Sequence, residues 1–140
     1  MALGTVTDII AGESFTVDLL AAAVTAANGI PTSTAGVDMN VLRKLGAVPG
    51  SIRVLVVSTA GSGTMICKVK VWARFGVTWA VAKWLNAAAD IAETSADAIQ
   101  YSEEVTGLEA ADRLFFEVFS IGGTNTAIIG YAAVGRGSGI

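Results

Sequence analysis

The chain has 140 residues, of which 53% are hydrophobic and 15% are charged, with a formal net charge of −3. Soluble domains typically carry about 25% charged residues, so this chain has more apolar side chains than one small core buries. Nine Lys and Arg residues in an acidic chain are too few for a nucleic-acid-binding stripe, and the absence of histidine excludes Ser-His-Asp triads, histidine general bases and histidine metal sites.

A membrane does not account for the apolar surplus. The longest stretch without a charge, residues 19–37, is interrupted by Asn28, Gly29 and Pro31, whereas a membrane-spanning helix needs about 20 mostly apolar residues. The N-terminus has no basic residue before its first apolar run, so we expect no secretory signal. We therefore expect self-association, or docking on a larger assembly, to cover the surplus.

The single cysteine, Cys67, excludes a disulfide within the chain and a cysteine metal cluster. It falls among the apolar positions of an alternating segment. We therefore predict a small buried side chain without chemistry of its own.

The N-terminal part of the chain predicts short strands. Residues 5–10 form the first of them. Residues 14–27 begin with the alternation of a strand, although Asp18 could instead cap a helix through the alanines that follow; their threonines and valines favour the strand. Residues 29–36 form a loop rich in Gly, Ser and Thr, and alternation over residues 37–43 favours another strand.

Residues 51–75 predict a β-hairpin around which the rest of the chain is organised. The first arm, residues 52–57, is apolar on both faces, as in a central strand. The second arm, residues 65–75, alternates between a dry face and a cationic face that carries Trp72. A glycine-rich turn at residues 60–63 joins the arms, and it lacks the lysine and the following helix of a phosphate-binding loop.

The C-terminal half adds further strands. A segment with two tryptophans covers residues 77–85. The alanine-rich part that follows could form a helix, but strands at residues 88–93 and 98–105 are favoured. Residues 113–121 predict a strand that is buried on both sides, and residues 126–134 predict the last strand.

These elements amount to seven to nine short strands separated by glycine-rich turns. We therefore predict an all-β fold, an antiparallel β-sandwich of the jelly-roll kind. A chain of this length is most simply one domain with its own core. Residues 1–134 form the sandwich, and residues 135–140 form a flexible Gly/Ser tail.

Charged residues are unevenly distributed along the chain. No acid occurs between Asp38 and Asp90, where seven basic residues fall, whereas seven acids after Asp90 and up to Glu117 face only Arg113. Neighbouring strands could place these charges side by side in one solvated sheet. Alternatively, a basic patch on one subunit could meet an acidic patch on the next.

Six residues form a candidate interface: Lys68, Lys70, Trp72, Arg74, Trp79 and Trp84. Trp72 lies between Lys70 and Arg74 on one strand face, where the cations can pack over its ring. Trp and Arg are enriched at the hot spots of protein interfaces. The tryptophans could also fill a core or form a sugar-stacking platform.

We predict no catalytic residue, no metal and no cofactor. Glu103 and Glu104 could form a carboxylate pair of the glycosidase type, and Asp90, Glu93 and Asp97 could surround a calcium ion. The three acids match no calcium-loop pattern, and neighbouring acids are more often solvated loop residues.

Several stretches carry a family resemblance, and they are turn and strand motifs: Leu20-Ala-Ala-Ala-Val-Thr-Ala, Gly36-Val37-Asp38-Met39, Ile52-Arg-Val-Leu-Val-Val-Ser-Thr-Ala-Gly-Ser-Gly-Thr64, Val69-x-Val71-Trp72, Trp79, Asp112-Arg113-Leu114-Phe115 and Ile121-Gly122-Gly123-Thr124-x-Thr126. In this order they cover most of the chain and resemble the small β-sandwich decoration, or cement, proteins of tailed-bacteriophage heads. The acidic segment of residues 90–109 lies outside the resemblance.

The resemblance implies a structural virion protein without enzymatic activity. Such a capsid decoration protein is made in the host cytoplasm and lies on the phage head surface. There it self-associates, as a homotrimer by our expectation, and stabilises the shell by binding the major capsid protein. A tail, fibre or connector component and a carbohydrate-binding module remain alternatives.

Overall fold

A computed structural model describes residues 3–10, 14–20, 29, 31–32, 35–44, 52–58, 65–93, 99–123 and 128–135. The glycine-rich turn predicted at residues 60–63, the part of the possible helix over residues 21–27 and the tail from residue 136 onward lie outside these ranges.

Ten strands in the described part of the chain pair antiparallel into two sheets. Sheet A contains, in spatial order, β1 (Val6–Ile10), β2 (Ser14–Asp18), β10 (Ile128–Gly135), β4 (Ile52–Ser58) and β8 (Ile99–Val105). Sheet B contains β3 (Val37–Asp38), β9 (Arg113–Gly123), β5 (Met65–Phe75) and β6 (Thr78–Trp84), with β7 (Ile91–Glu93) paired to the other end of β5. The all-β sandwich is confirmed, with ten strands in place of seven to nine.

Two short helical segments accompany the sheets. Helix α1 spans Met39–Lys44, and a 3-10 turn spans Leu85–Ala88. Within the described ranges, neither segment has the length and apolar content that a membrane crossing requires.

The core lies between the inner faces of the two sheets. Alternation along β5 directs Cys67, Val69, Val71 and Ala73 inward, where each is at most 1% exposed. The side chains between them are half-buried. The dry face predicted for this segment is thus confirmed.

Phe116 of β9 packs against the backbone of Gly130 in the opposite sheet. Phe116 is the largest fully buried side chain among the described residues. A Cβ placed on Gly130 would lie 2.6–2.7 Å from three atoms of the Phe116 ring, well inside van der Waals contact. Gly130 therefore leaves the space that this ring occupies.

The hairpin predicted over residues 51–75 is wrong, although both of its arms are strands. β4 lies in sheet A between β10 and β8, and β5 lies in sheet B between β9 and β6. The chain therefore changes sheets between β4 and β5. Alternation determines the face to which a side chain points but not the strand that lies alongside, and packed sheets are only about 10 Å apart.

The hairpin that does form joins β5 to β6. Phe75 pairs with Thr78 across the two loop residues Gly76 and Val77. Gly76 has a φ of +72°, and a type II′ turn requires a positive φ at its first loop residue. This short turn places the two strands side by side without a change of sheet.

The strand predicted over residues 37–43 is wrong beyond Asp38, where the chain enters α1. Oδ1 of Asp38 accepts the backbone N–H of Asn40 at 2.9 Å and so satisfies a donor of the first helical turn. Met39 and Leu42 are buried at a spacing of three residues, which is the period of a helix face rather than of a strand.

The other strands fall where the sequence predicts them. The strand favoured over residues 14–27 is confirmed for Ser14–Asp18, which form β2, and the strand ends before Leu19. β8 confirms the second strand favoured over the alanine-rich helix, whereas the first, predicted from residue 88, begins only at Ile91 as β7, because Leu85–Ala88 form the 3-10 turn. β9 and β10 extend two residues and one residue beyond their predicted ends, so Gly135 belongs to a strand and not to the tail.

Replacing Gly130 with alanine should destabilise the sandwich by about 1–3 kcal/mol, the usual cost of overpacking a core. The reason is the overlap of the new Cβ with the Phe116 ring. Urea unfolding followed by tryptophan fluorescence gives the free energy of unfolding. Gly122→Ala is the matched control, because its Cβ would meet Ile66 at an ordinary 3.8–4.0 Å. Equal losses in the two variants would contradict the steric role of Gly130.

Candidate functional site

One surface of the sandwich, the outer face of sheet B, carries all six candidate interface residues: Lys68, Lys70, Trp72, Arg74, Trp79 and Trp84. Alternation along β5 places four of them there. The pairing with β6 adds the other two, since Trp79 lies opposite Arg74 and Trp84 lies opposite Lys70, and directly paired residues share a face. We call this surface the aromatic–cationic face.

Lys70 lies among three aromatic rings on this face. Its Nζ is 4.2 Å from the ring centroid of Trp84, 4.7 Å from that of Phe119 and 5.9 Å from that of Trp72. Trp84 and Phe119 meet edge to face, with centroids 5.3 Å apart, a favourable arrangement for aromatic pairs. The sequence predicted a cation over Trp72, but the ring closest to Lys70 is Trp84. Phe119 was not among the predicted residues.

Trp72 makes a hydrogen bond to a buried carboxyl group. Its indole N–H donates to Oε1 of Glu117 at 2.8 Å, and Glu117 is only 4% exposed. A buried polar group of this kind needs a hydrogen-bond partner. Trp72 is therefore part of the packing of sheet B as well as of its surface.

Trp79 holds a neighbouring loop segment against the sheet. Its indole N–H donates to the carbonyl oxygen of Thr32 at 3.1 Å, and its ring meets Phe115 edge to face at 6.2 Å. The ring is half-buried. The indole N–H and the ring of Trp79 thus already contact other residues of the chain.

Arg74 is bound by the carboxylate of Asp112. Its Nε and one terminal nitrogen donate to the two carboxylate oxygens at 3.0 and 3.1 Å, the bidentate geometry that suits a guanidinium. These hydrogen bonds lower the pKa of Asp112 and raise that of Arg74. Arg113, the first residue of β9, donates to the carbonyl oxygens of Ala35 and Gly36. These bonds hold the segment that leads into β3.

Among the residues that the structure describes, three ion pairs join the basic middle of the chain to the acidic part that follows: Lys68–Asp90 at 4.0 Å, Arg74–Asp112 at 3.0 Å and Lys83–Glu103 at 3.2 Å. All three lie within one molecule. They support the hypothesis that neighbouring elements mix the two signs of charge, and they weaken the hypothesis of separate basic and acidic patches.

A polar group closes the side of the sandwich where β8 of sheet A faces β6 of sheet B. Glu103 lies on the inner side of β8, opposite Val54, and its carboxylate reaches across to sheet B. There it pairs with Nζ of Lys83 at 3.2 Å and accepts the backbone N–H of Asn86 at 2.9 Å. The hydroxyl of Tyr101 donates to the same carboxylate. We call Lys83, Asn86, Tyr101 and Glu103 the seam cluster.

Several hydrogen bonds keep Glu103 ionised. Burial by itself raises the pKa of this carboxyl, but the bonds from Tyr101, from the N–H of Asn86 and from Lys83 together lower the pKa below its ordinary value. The pKa of Tyr101 is raised, first by burial and then by its bond to Glu103. At neutral pH the carboxyl of Glu103 is therefore ionised and pairs with the ammonium of Lys83.

A strained turn follows Trp84. Asn86, Ala87 and Ala88 have φ values of 55°, 52° and 67°, a left-handed region that costs an alanine about 1–2 kcal/mol. The side-chain amide of Asn86 donates to the carbonyl oxygen of Asp90 at 2.9 Å, and its backbone N–H donates to Glu103. These bonds hold a conformation that the local sequence does not favour.

The acids considered for chemistry are separated in the structure. Glu103 and Glu104 are neighbours on β8 and point to opposite sides of sheet A, so they form no carboxylate pair. Within the described ranges, no group of three or more His, Cys, Asp or Glu residues is placed to hold a metal ion. Asp97, which belongs to the calcium hypothesis, lies outside those ranges.

Comparison of the chain with protein-family models, with curated proteins and with solved structures finds no match. The function of the aromatic–cationic face therefore has to be inferred from its own residues.

Replacing Trp72 with phenylalanine removes the indole N–H that binds the buried carboxyl of Glu117. We expect a loss of about 1–3 kcal/mol in the free energy of unfolding, the usual cost of a buried polar group without its partner. Urea unfolding measures the loss.

Adding Glu117→Met to Trp72→Phe should recover most of that loss, because both polar partners are then replaced by apolar groups. Trp84→Phe is the control on the same face, and it should cost at most about 1 kcal/mol from the weakened contact with Lys70. A double variant no more stable than Trp72→Phe alone would contradict the role of this hydrogen bond.

The thiol of Cys67 should be unreactive in the folded protein. Burial, and to a smaller degree the charge of Asp90, raises the pKa of Cys67 to about 12, and the thiolate is the reactive form. At pH 8 we expect a disulfide reagent such as dithiobis(nitrobenzoate) to label the folded chain at least about 100-fold more slowly than the urea-unfolded chain. Rapid labelling of the folded chain would contradict this prediction.

Proposed function

We propose that this chain is a structural virion protein, a capsid decoration protein of the tailed-bacteriophage type. In this proposal it self-associates as a homotrimer and binds the major capsid protein on the head surface without catalysis. The observation that carries the proposal is the aromatic–cationic face, which gathers the candidate interface residues on one sheet.

Exposed apolar side chains on the same hairpin support a protein partner. Among the described residues, five large apolar side chains are exposed, and three of them are Phe75, Val77 and Trp84 of the β5–β6 hairpin. Val77 is 94% exposed at the turn, and Trp84 is 42% exposed at the far end of β6. Apolar groups on a tight, well-paired hairpin lose little conformational freedom on binding.

The geometry favours a protein partner over a glycan. A sugar-stacking platform needs open ring faces, but the ammonium of Lys70 lies over the ring of Trp84. Trp72 and Trp79 are half-buried, and their indole N–H groups donate to Glu117 and Thr32. The three tryptophans therefore do not form an open row of rings.

A decoration protein acts through contact area. A stable protein–protein interface buries about 1,600 Å², and repeating such a contact around a symmetric shell adds avidity. A cyclic homo-oligomer would present one hairpin from each copy around a common axis. Several copies of the aromatic–cationic face would then meet the shell together.

Trp84→Ala should weaken binding to the shell by at least about tenfold, because truncation of a hot-spot residue costs about 2 kcal/mol or more. The measurement is co-sedimentation of the purified chain, over a range of concentrations, with shells assembled from the major capsid protein of the same genome. Size-exclusion chromatography with light scattering gives the oligomeric state of both proteins.

Val6→Ala is the matched control, because Val6 is also 42% exposed but lies on β1 of sheet A. Its binding should equal that of the unmodified chain. A monomer that does not sediment with shells would contradict the proposal, and so would a chain that binds tail or connector preparations and not shells.

A further inference from the structure

We infer that Glu103 is a positioning residue for the aromatic–cationic face: from the opposite sheet it clamps the chain on both sides of Trp84, and protonation of its carboxylate releases that segment. The importance of Trp84 for docking rests on the proposed function. The clamp itself rests on the geometry of the seam cluster.

The clamp holds two points that flank Trp84. Lys83, the residue before it, forms an ion pair with Glu103 at 3.2 Å. Asn86, two residues after it, donates its backbone N–H to the same carboxylate at 2.9 Å. Between these points, Leu85 is fully buried in the core and Trp84 is exposed on the outer face. One side chain of sheet A thus anchors the end of β6 in sheet B.

The clamped turn has an unfavourable backbone conformation. Three consecutive residues without the freedom of glycine, Asn86, Ala87 and Ala88, adopt positive φ values, and such backbone persists only where its surroundings hold it. β6 is also an edge strand along this side of sheet B, and edge elements open more readily than central ones. Loss of the bond to Glu103 therefore favours relaxation of the turn.

The groups that face Glu103 set its response to pH. Lys83 faces it from β6, the N–H of Asn86 from the turn and the hydroxyl of Tyr101 from its own strand, while β4 places the apolar Val54 opposite. The bonds from these partners outweigh burial and hold the pKa of Glu103 below the ordinary value of a glutamate. The clamp is therefore closed at neutral pH and is lost as the pH falls through that lowered pKa.

Hydrogen–deuterium exchange of the full chain at pH 7 tests the clamp. In Glu103→Gln, we expect peptides from residues 83–93 to exchange at least about tenfold faster than in the unmodified chain. Peptides from residues 113–121 should keep their rates, because β9 pairs with β3 and β5 and not with the released segment. Glu104→Gln is the matched control, since Glu104 is the next residue of β8 and lies exposed on the other side of the sheet; its rates should not change.

A pH titration of the chain labelled with 5-fluorotryptophan provides a second test. Trp84→Phe assigns the fluorine resonance of Trp84. This resonance should shift as the pH falls through the lowered pKa of Glu103, and the same shift should be absent from a titration of Glu103→Gln. In Glu103→Gln it should lie at the shifted position already at pH 7.

Two outcomes would overturn the inference. Uniform acceleration of exchange in all strands would show that Glu103 stabilises the whole fold and not this segment. Unchanged exchange, or a Trp84 resonance that moves only together with global unfolding, would show that no local release occurs. Both measurements use the chain by itself, so a failure of shell binding leaves the clamp intact, and a failure of the clamp leaves the Trp84→Ala test of docking unaffected.

Discussion

The antiparallel pairing of β5 with β9 determines both surfaces of sheet B. The register that places Lys70 opposite Glu117 and Val71 opposite Phe116 sends one pair outward and the other into the core. A shift of one residue would exchange the two faces and would bury the cations. In the observed register, the Phe116 ring fits the space that Gly130 leaves. Packing between the sheets therefore also determines which residues lie on the outer face.

Periodicity predicted the strands and their faces but not their neighbours. The alternation of apolar residues located β5 and its dry side, because burial acts on every second side chain. The same pattern is compatible with several partners, and the glycine-rich link after β4 connects two sheets and not two arms of a hairpin. β9 and β10 are a second example, because they are consecutive in the chain and lie in different sheets. Sheet order is decided by packing among distant strands, which a local pattern does not encode.

The candidate site, too, was predictable from the sequence only in part. Lys68, Lys70, Trp72 and Arg74 share a face because they alternate on one strand, and this could be predicted. Their partners could not: the indole of Trp72 binds a carboxyl 45 positions away, and the seam cluster joins the edges of two sheets. Two local signals were available, the glycine of the β5–β6 turn and the Asp38 cap of α1, because turn and cap residues act on backbone groups one or two positions away.

Apolar side chains from both sheets form one buried core cluster, and among the described residues three of the five exposed large apolar side chains lie on the β5–β6 hairpin. Two cations on that hairpin make contacts within the chain, Arg74 with the carboxylate of Asp112 and Lys70 with aromatic rings. Recognition by this surface would depend on the shape and area of a rigid hairpin, and hence on the interactions that fix the end of β6.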